Sequence, residues 1–230
     1  MKEKVSPGMA VAIGAVAVFA IVALLFGFTV ISAEDEAGLT VEFDPAAYVE
    51  DNWEAVQIAI KDGAVPLANV LNEIEPDAEG KIATEELMPI VKALGLIATG
   101  DAHVYRITGT GVVTDVDTER SKGSIGIDVD GYDGPIHVRV WIGTRIPSDN
   151  SAVRDASGFI EFGDFREQTE FGKVAKEINK KVVANLEDLD KEALEGKAIE
   201  FTGAFAMRTA NMPTLDVSEL YLVPIEVIER

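Results

Sequence analysis

Three carboxylates fall within six residues at Asp128-x-Asp130-Gly131-x-Asp133-Gly134. Oxygen ligands alternating around a glycine bend are how a calcium loop begins. A full loop would end on a bidentate glutamate, and the corresponding position, 139, is arginine. Asp-Gly pairs are also preferred hairpin chemistry, so Asp128, Asp130 and Asp133 equally describe a plain turn between two strands. Directly after it, His137, Arg139 and Trp141 alternate with Val138 and Val140 and therefore share one face of a strand. An indole beside a guanidinium suits a sugar, the ring stacking on Trp141 and hydroxyls bonding to Arg139. The competing arrangement is structural: a cross-strand ion pair of Arg139 with Asp128 or Asp130, and Trp141 packed under a helix. Arg154-Asp155 and Asp164 either line a cleft or cap helices and pair locally. Tyr48, Trp53 and Tyr105 read as aromatics of the core or of contacts within it.

Other chemistries are excluded. The chain has no cysteine, so disulfides, thiolate nucleophiles, cysteine-ligated metals and a lipid-modified cysteine are absent from it. His103 and His137 are the only histidines, too few for a histidine-rich metal site. No phosphate-binding loop, nucleophile elbow or dinucleotide fingerprint occurs. Carboxylate hydrolysis has 40 acids to draw on, but spacing singles out no pair. The residues point to a protein that binds, with no cofactor beyond the calcium considered above, and not to an enzyme.

The elements that position these residues follow an apolar run. Residues 9–31 contain no charge and one polar side chain, Thr29. As a helix they would span ~35 Å, enough to cross a bilayer. Lys2 and Lys4 precede the run and Glu34, Asp35 and Glu36 follow it, which predicts a cytoplasmic N-terminus and an extracytoplasmic body. The expected order is a cytoplasmic tail (1–8), a single transmembrane anchor (9–31), a linker (32–44), a helical subdomain (45–100) and a strand-rich domain (101–230). The whole chain carries −20; Lys2, Glu3 and Lys4 sum to +1 and residues 5–33 are uncharged, so the body carries −21. Such a field repels phosphate backbones, so nucleic acid is not an expected partner.

Within the body, Asp44-Pro45 predicts a helix start, followed by a stripe at Val49, Trp53, Val56 and Ile60 and a stop at Gly63. Shorter stripes at Leu67–Ile74 and Leu87–Leu94 predict two more helices. From His103 the period is two, with a bulge or bend expected at Gly109 and Gly111. Further strands are expected at Ser124–Asp130, Ile136–Ile142, Phe159–Phe162, Ile199–Phe205 and Leu215–Ile228, the last interrupted at Pro224. One long helix, about 164–184, is expected to be capped by Asp164 with Glu167 as its capping-box partner. The sum is an α+β chain: a small barrel of the OB-like type with a helical subdomain, behind one transmembrane helix.

Several stretches resemble one family, the predicted periplasmic lipoproteins known as domain of unknown function 2291. They are Phe43-Asp-Pro-Ala-Ala-Tyr48-Val49 with Trp53; Gly109-x-Gly111-Val112-Val113; Ile127-Asp-Val-Asp130-Gly131; and Gly196-Lys197 with Phe201-x-Gly203-Ala204-Phe205. The most specific is Val153-Arg-Asp155-Ala156 leading to Phe159-Ile160-x-Phe162-x-Asp164-Phe165-x-x-Gln168. The resemblance implies an OB-like barrel with a helical subdomain. It also implies genes often beside sugar ABC transporters, hence an accessory role with a permease or solute-binding protein as partner. It brings no catalytic residues. The departure is the missing lipid-anchor cysteine, whose tethering role the apolar run would fill. A sugar- or calcium-binding module is the alternative reading, and a carboxylate-dependent hydrolase a third.

Overall fold

The computed structural model describes residues 42–98 and 100–230; the anchor expected over 9–31 and most of the 32–44 linker lie outside them. Among the described residues no helix is long and apolar enough to cross a membrane. Helix α1 (Pro45–Asp62) starts as its sequence predicts. The Asp44 carboxylate accepts from the Ala46 and Ala47 amides at 2.9 and 3.1 Å, Pro45 takes the first helical position and Gly63 ends the helix. Val49, Val56 and Ile60 are buried, whereas Trp53 and Tyr48 are only half-buried; of the three aromatics, Tyr105 alone is fully enclosed. Helices α2 (Leu67–Glu73) and α3 (Thr84–Leu94) follow, with Pro89 inside α3.

The strands are β1 (Val65–Pro66), β2 (Lys81–Ala83), β3 (Leu96–Ala98), β4 (Ala102–Asp117), β5 (Ser124–Val129), β6 (His137–Trp141), β7 (Ala198–Arg208), β8 (Thr214–Asp216) and β9 (Glu219–Glu229). Strands β4, β5 and β6 form an antiparallel meander. Strand β6 then pairs in parallel with β9, β9 antiparallel with β7, and β7 antiparallel with β4 along its first eleven residues. The path β4–β5–β6–β9–β7–β4 therefore closes on itself. β1 and β3 add to β4, while β2 and β8 make a separate pair.

The bulge of β4 falls between Val113 and Asp115, not at Gly109 and Gly111, which keep regular register with Phe201 and Ile199. Those glycines are there for space. A Cβ on Gly111 would lie 2.3 Å from the Asp128 carbonyl oxygen, and one on Gly109 would lie 2.8 Å from the Phe201 ring. Pro224 sits opposite Gly203, where the β7–β9 register shifts.

Inward-facing Ile125, Ile127, Val138, Val140, Phe201 and Leu222 fill the ring. Leu67, Leu71, Leu87 and Val91 from the first helices join the same core, and Asp44–Arg230 is one compact unit. Two short expectations fail between β6 and β7. Residues Phe159–Phe162 are not a strand; Phe162–Asp164 form a 3₁₀ turn in which Asp164 and Glu161 cap each other, because Gly158 and Gly163 break any extended run. The long helix, α5 (Gln168–Asn185), consequently begins after Asp164, with Glu167 as a cap that makes no side-chain bond. Before it lies α4 (Ala152–Ser157), ended by Gly158 at φ +76°. Arg106 of β4 closes the end of α4, donating to the Ala156 and Ser157 carbonyls at 2.5 and 2.9 Å. A Cβ on Gly158 would strike that guanidinium.

Candidate functional site

Two regions gather polar chemistry. The first is the outer face of β5 and β6. Register aligns Asp115 on β4, Gly126 on β5, Arg139 on β6 and Tyr221 on β9 in one row across four strands. Gly126 has no side chain, so the Asp115 carboxylate lies over it; a Cβ there would be 2.0 Å from Asp115 Oδ2. Arg139 donates through Nη2 to Asp115 Oδ1 at 2.8 Å, through Nη1 to Oδ2 at 3.4 Å and through Nε to Ser124 Oγ at 3.0 Å, with Glu219 4.0 Å away. Burial pushes the Arg139 pKa down, but the bonds and charge of Asp115, with Tyr221 and Glu219, outweigh it and hold the guanidinium charged.

Arg139 thus makes an ion pair, but not with Asp128 or Asp130. Its partner comes from the far strand of the sheet, one strand beyond the hairpin that a local pattern can see. Trp141 stacks on Tyr221, centroids 4.4 Å apart at 20°, with its buried Nε1 unpaired among the described residues. Asp115, Asp128, Asp133, His137, Arg139 and Glu219 line a shallow cleft of about 450 Å³. Asp130 leaves this group and accepts from Thr110 Oγ1 instead. Among the described residues no group of three acidic or histidine side chains is placed to hold a metal.

The second region is a cavity of about 810 Å³ between α4, the first half of α5 and the end of β7. Arg154 and Asp155 line it and both are buried. Arg154 donates to Asp155 Oδ1 through Nε at 2.9 Å and Nη2 at 2.6 Å, and through Nη1 to the Phe171 carbonyl at 3.0 Å. Its guanidinium carbon lies 3.4 Å from the Phe171 ring centroid. Ser151 Oγ donates to the other Asp155 oxygen at 2.7 Å. Burial pushes the Arg154 pKa down and Asp155 pulls it back up, with Arg208 opposing. Gln168, Gly172 and Arg208 complete the wall; nothing in their spacing connects them, and only the Phe159–Gln168 run pointed near them. Asp164 does not line the cavity; its carboxylate accepts from the Glu161 amide at 3.0 Å.

The ring of five strands, with a helix between its third and fourth members and a parallel pair closing it, is an OB-type arrangement on an α+β chain. The likeness to a solved structure agrees. An OB-fold protein from Thermotoga maritima superposes with a TM-score of 0.58 at 18% identity, over 82% of this chain and 99% of that one. The profile of the predicted periplasmic lipoproteins, domain of unknown function 2291, matches residues 18–227, and the chain belongs to that family. No curated protein matches it.

Proposed function

We propose that this protein is a membrane-tethered accessory protein of the cell envelope. In this reading residues 9–31 are a single-pass anchor with a cytoplasmic N-terminus, and the OB-type barrel works outside by binding a protein partner. The family's periplasmic character and the charges flanking the apolar run support the location. The row Asp115–Gly126–Arg139–Tyr221, with Trp141 stacked beside it, carries the function. Arginine, tyrosine and tryptophan are the residues that anchor protein interfaces, and here they are held in place before any partner arrives. Arg139 is tied to Asp115 and Ser124 with its side chain 18% exposed, so it offers a fixed surface for a flat protein contact. The resemblance to proteins encoded beside sugar transporters makes a permease or a solute-binding protein the partner to seek.

The test is cross-linked co-purification of the full-length protein from its own membranes, read by mass spectrometry, alongside Trp141→Ala and Arg139→Glu. An envelope partner enriched with the wild type and lost with both variants is expected. Recovery of the protein alone, or equal recovery with both variants, refutes the reading.

A further inference from the structure

The cavity behind α4 shares no lining residue with the outer face and needs its own explanation. A guanidinium has five N–H bonds, and the described residues use three of those on Arg154. Two remain on a side chain 8% exposed, beside open space. Most buried donors are met, and beside open space water or a ligand takes those the protein leaves. Asp155 is in the same condition. Oδ2 accepts one bond, from Ser151, and has a lone pair to spare. A donor and an acceptor thus stand side by side at the cavity wall.

Around them the wall keeps both kinds of capacity. The amide of Gln168 offers donor and acceptor together, and Arg208, whose Nη2 bonds the Asp149 carbonyl at 2.7 Å, makes no ion pair among the described residues. The formal charges of Arg154, Arg208, Asp149 and Asp155 cancel, so the wall as a whole asks for no net charge. Phe162, exposed at the rim and edge-on to Phe171 at 5.6 Å, supplies an apolar surface. The far wall is α5, where Gly172 lies in the second turn of the helix. A Cβ there would meet nothing within 4 Å. Glycine inside a helix is unfavourable, and here no backbone angle or close neighbour requires it. What glycine preserves is room.

We propose that this cavity is a binding site for a small, uncharged, polyhydroxylated molecule. Hydroxyls both donate and accept, so two neighbouring ones match the adjacent Asp155 oxygen and Arg154 N–H groups; the C–H side of the ligand lies toward Phe162, and its bulk fills the space beside Gly172. The volume is in the range of small-molecule sites.

Melting of the full chain in detergent micelles, with and without about 10 mM of each probe, tests this. The probes are ribose, xylose, glucose, myo-inositol and, as a charged control, gluconate. At least one neutral probe is expected to raise the melting temperature, and gluconate is expected to have less effect. Gly172→Leu projects into the cavity from a helix it also favours. It is expected to fold and melt no lower than the wild type while losing at least tenfold in affinity for the responding probe. Gln168→Ala, on the exposed end of the same wall, is expected to weaken the same probe severalfold. No response from any neutral probe, a response to gluconate alone, or undiminished binding by Gly172→Leu each overturns the proposal. None of these results bears on the outer face, whose partner is read by co-purification.

Discussion

Replacing Asp155 with alanine tests how the buried pair is held. The Asp155 side chain is 6% exposed and accepts three hydrogen bonds, two from Arg154 and one from Ser151. Removing it leaves the Arg154 charge enclosed, with the Phe171 carbonyl and ring as its remaining company. Breaking a buried pair from one side typically costs about 3–5 kcal/mol, because the surviving charge is no longer compensated. For a chain of this length that corresponds to a melting temperature lower by roughly 6–20 °C. Removing both charges, as Arg154→Leu with Asp155→Ala, deletes the stranded charge as well. The double variant should therefore cost less than the two single variants together, by about 2 kcal/mol or more. Urea unfolding followed by tryptophan fluorescence in two single-tryptophan backgrounds, one keeping Trp53 and one keeping Trp141, reads α1 and the strand ring separately, and coincident transitions would license the free energies. A cost for Asp155→Ala below about 1 kcal/mol, or single costs that simply add, would show that Arg154 is solvated through the cavity and that the pair is not the buried unit described.

Two predictions concern buried groups on β4. His103 is fully buried, with neither ring nitrogen partnered among the described residues; burial lowers its pKa, against a smaller opposing effect from Asp101. The fold thus holds the neutral imidazole, so its contribution is present above about pH 6.5 and is lost as pH falls below it. Urea midpoints should decline more steeply from pH 7 to pH 5 in the wild type than in His103→Leu, and parallel declines would refute the assignment. Tyr105 is fully buried, its hydroxyl without a partner among the described residues, and burial raises its pKa well above the ordinary tyrosine value. Stability tied to the neutral phenol is complete below about pH 10 and disappears as pH rises through the raised value. Tyr105→Phe should resist alkaline unfolding to higher pH and be about 0–1 kcal/mol more stable at pH 7; earlier alkaline unfolding would refute it.

Sequence alone reveals what is local. Asp44-Pro45 announces α1, and the alternation of Ile125, Ile127 and Val129 against Val138 and Val140 announces the hairpin and which side faces inward. It also identifies Arg139 as an ion-pair residue. It misses the partner, because Asp115 reaches Arg139 only across Gly126, through a register of three strands. The same limit hides the pairing of β6 with β9, whose partners Val138 and Leu220 lie far apart in the chain, and so hides the closing of the ring. Trp141 was legible as an aromatic on the outer face but not as half of a stack with Tyr221. Phe159–Phe162 misleads because two large apolar residues flanking Ile160 and Glu161 imitate a strand, while Gly158 and Gly163 deny it length. The cavity is the least legible feature, since Arg154, Gln168, Gly172 and Arg208 meet from three elements.

The parallel junction of β6 and β9 also sets a timetable. A chain made from its N-terminus finishes β4, β5 and β6 early, yet β6 exposes one unpaired edge, and β7 exposes another, until Glu219–Glu229 follows as the last strand of the ring. Even Arg230 still bonds, its amide donating to the Ala198 carbonyl at 3.0 Å. Open strand edges are templates for wrong pairing, and contacts this distant along the chain form slowly. The growing polypeptide therefore passes through a vulnerable interval in which most of its apolar surface exists and its last seam does not. Loss of β9 would leave the ring open and its edges aggregation-prone, so the integrity of the whole ring rests on Glu219–Glu229.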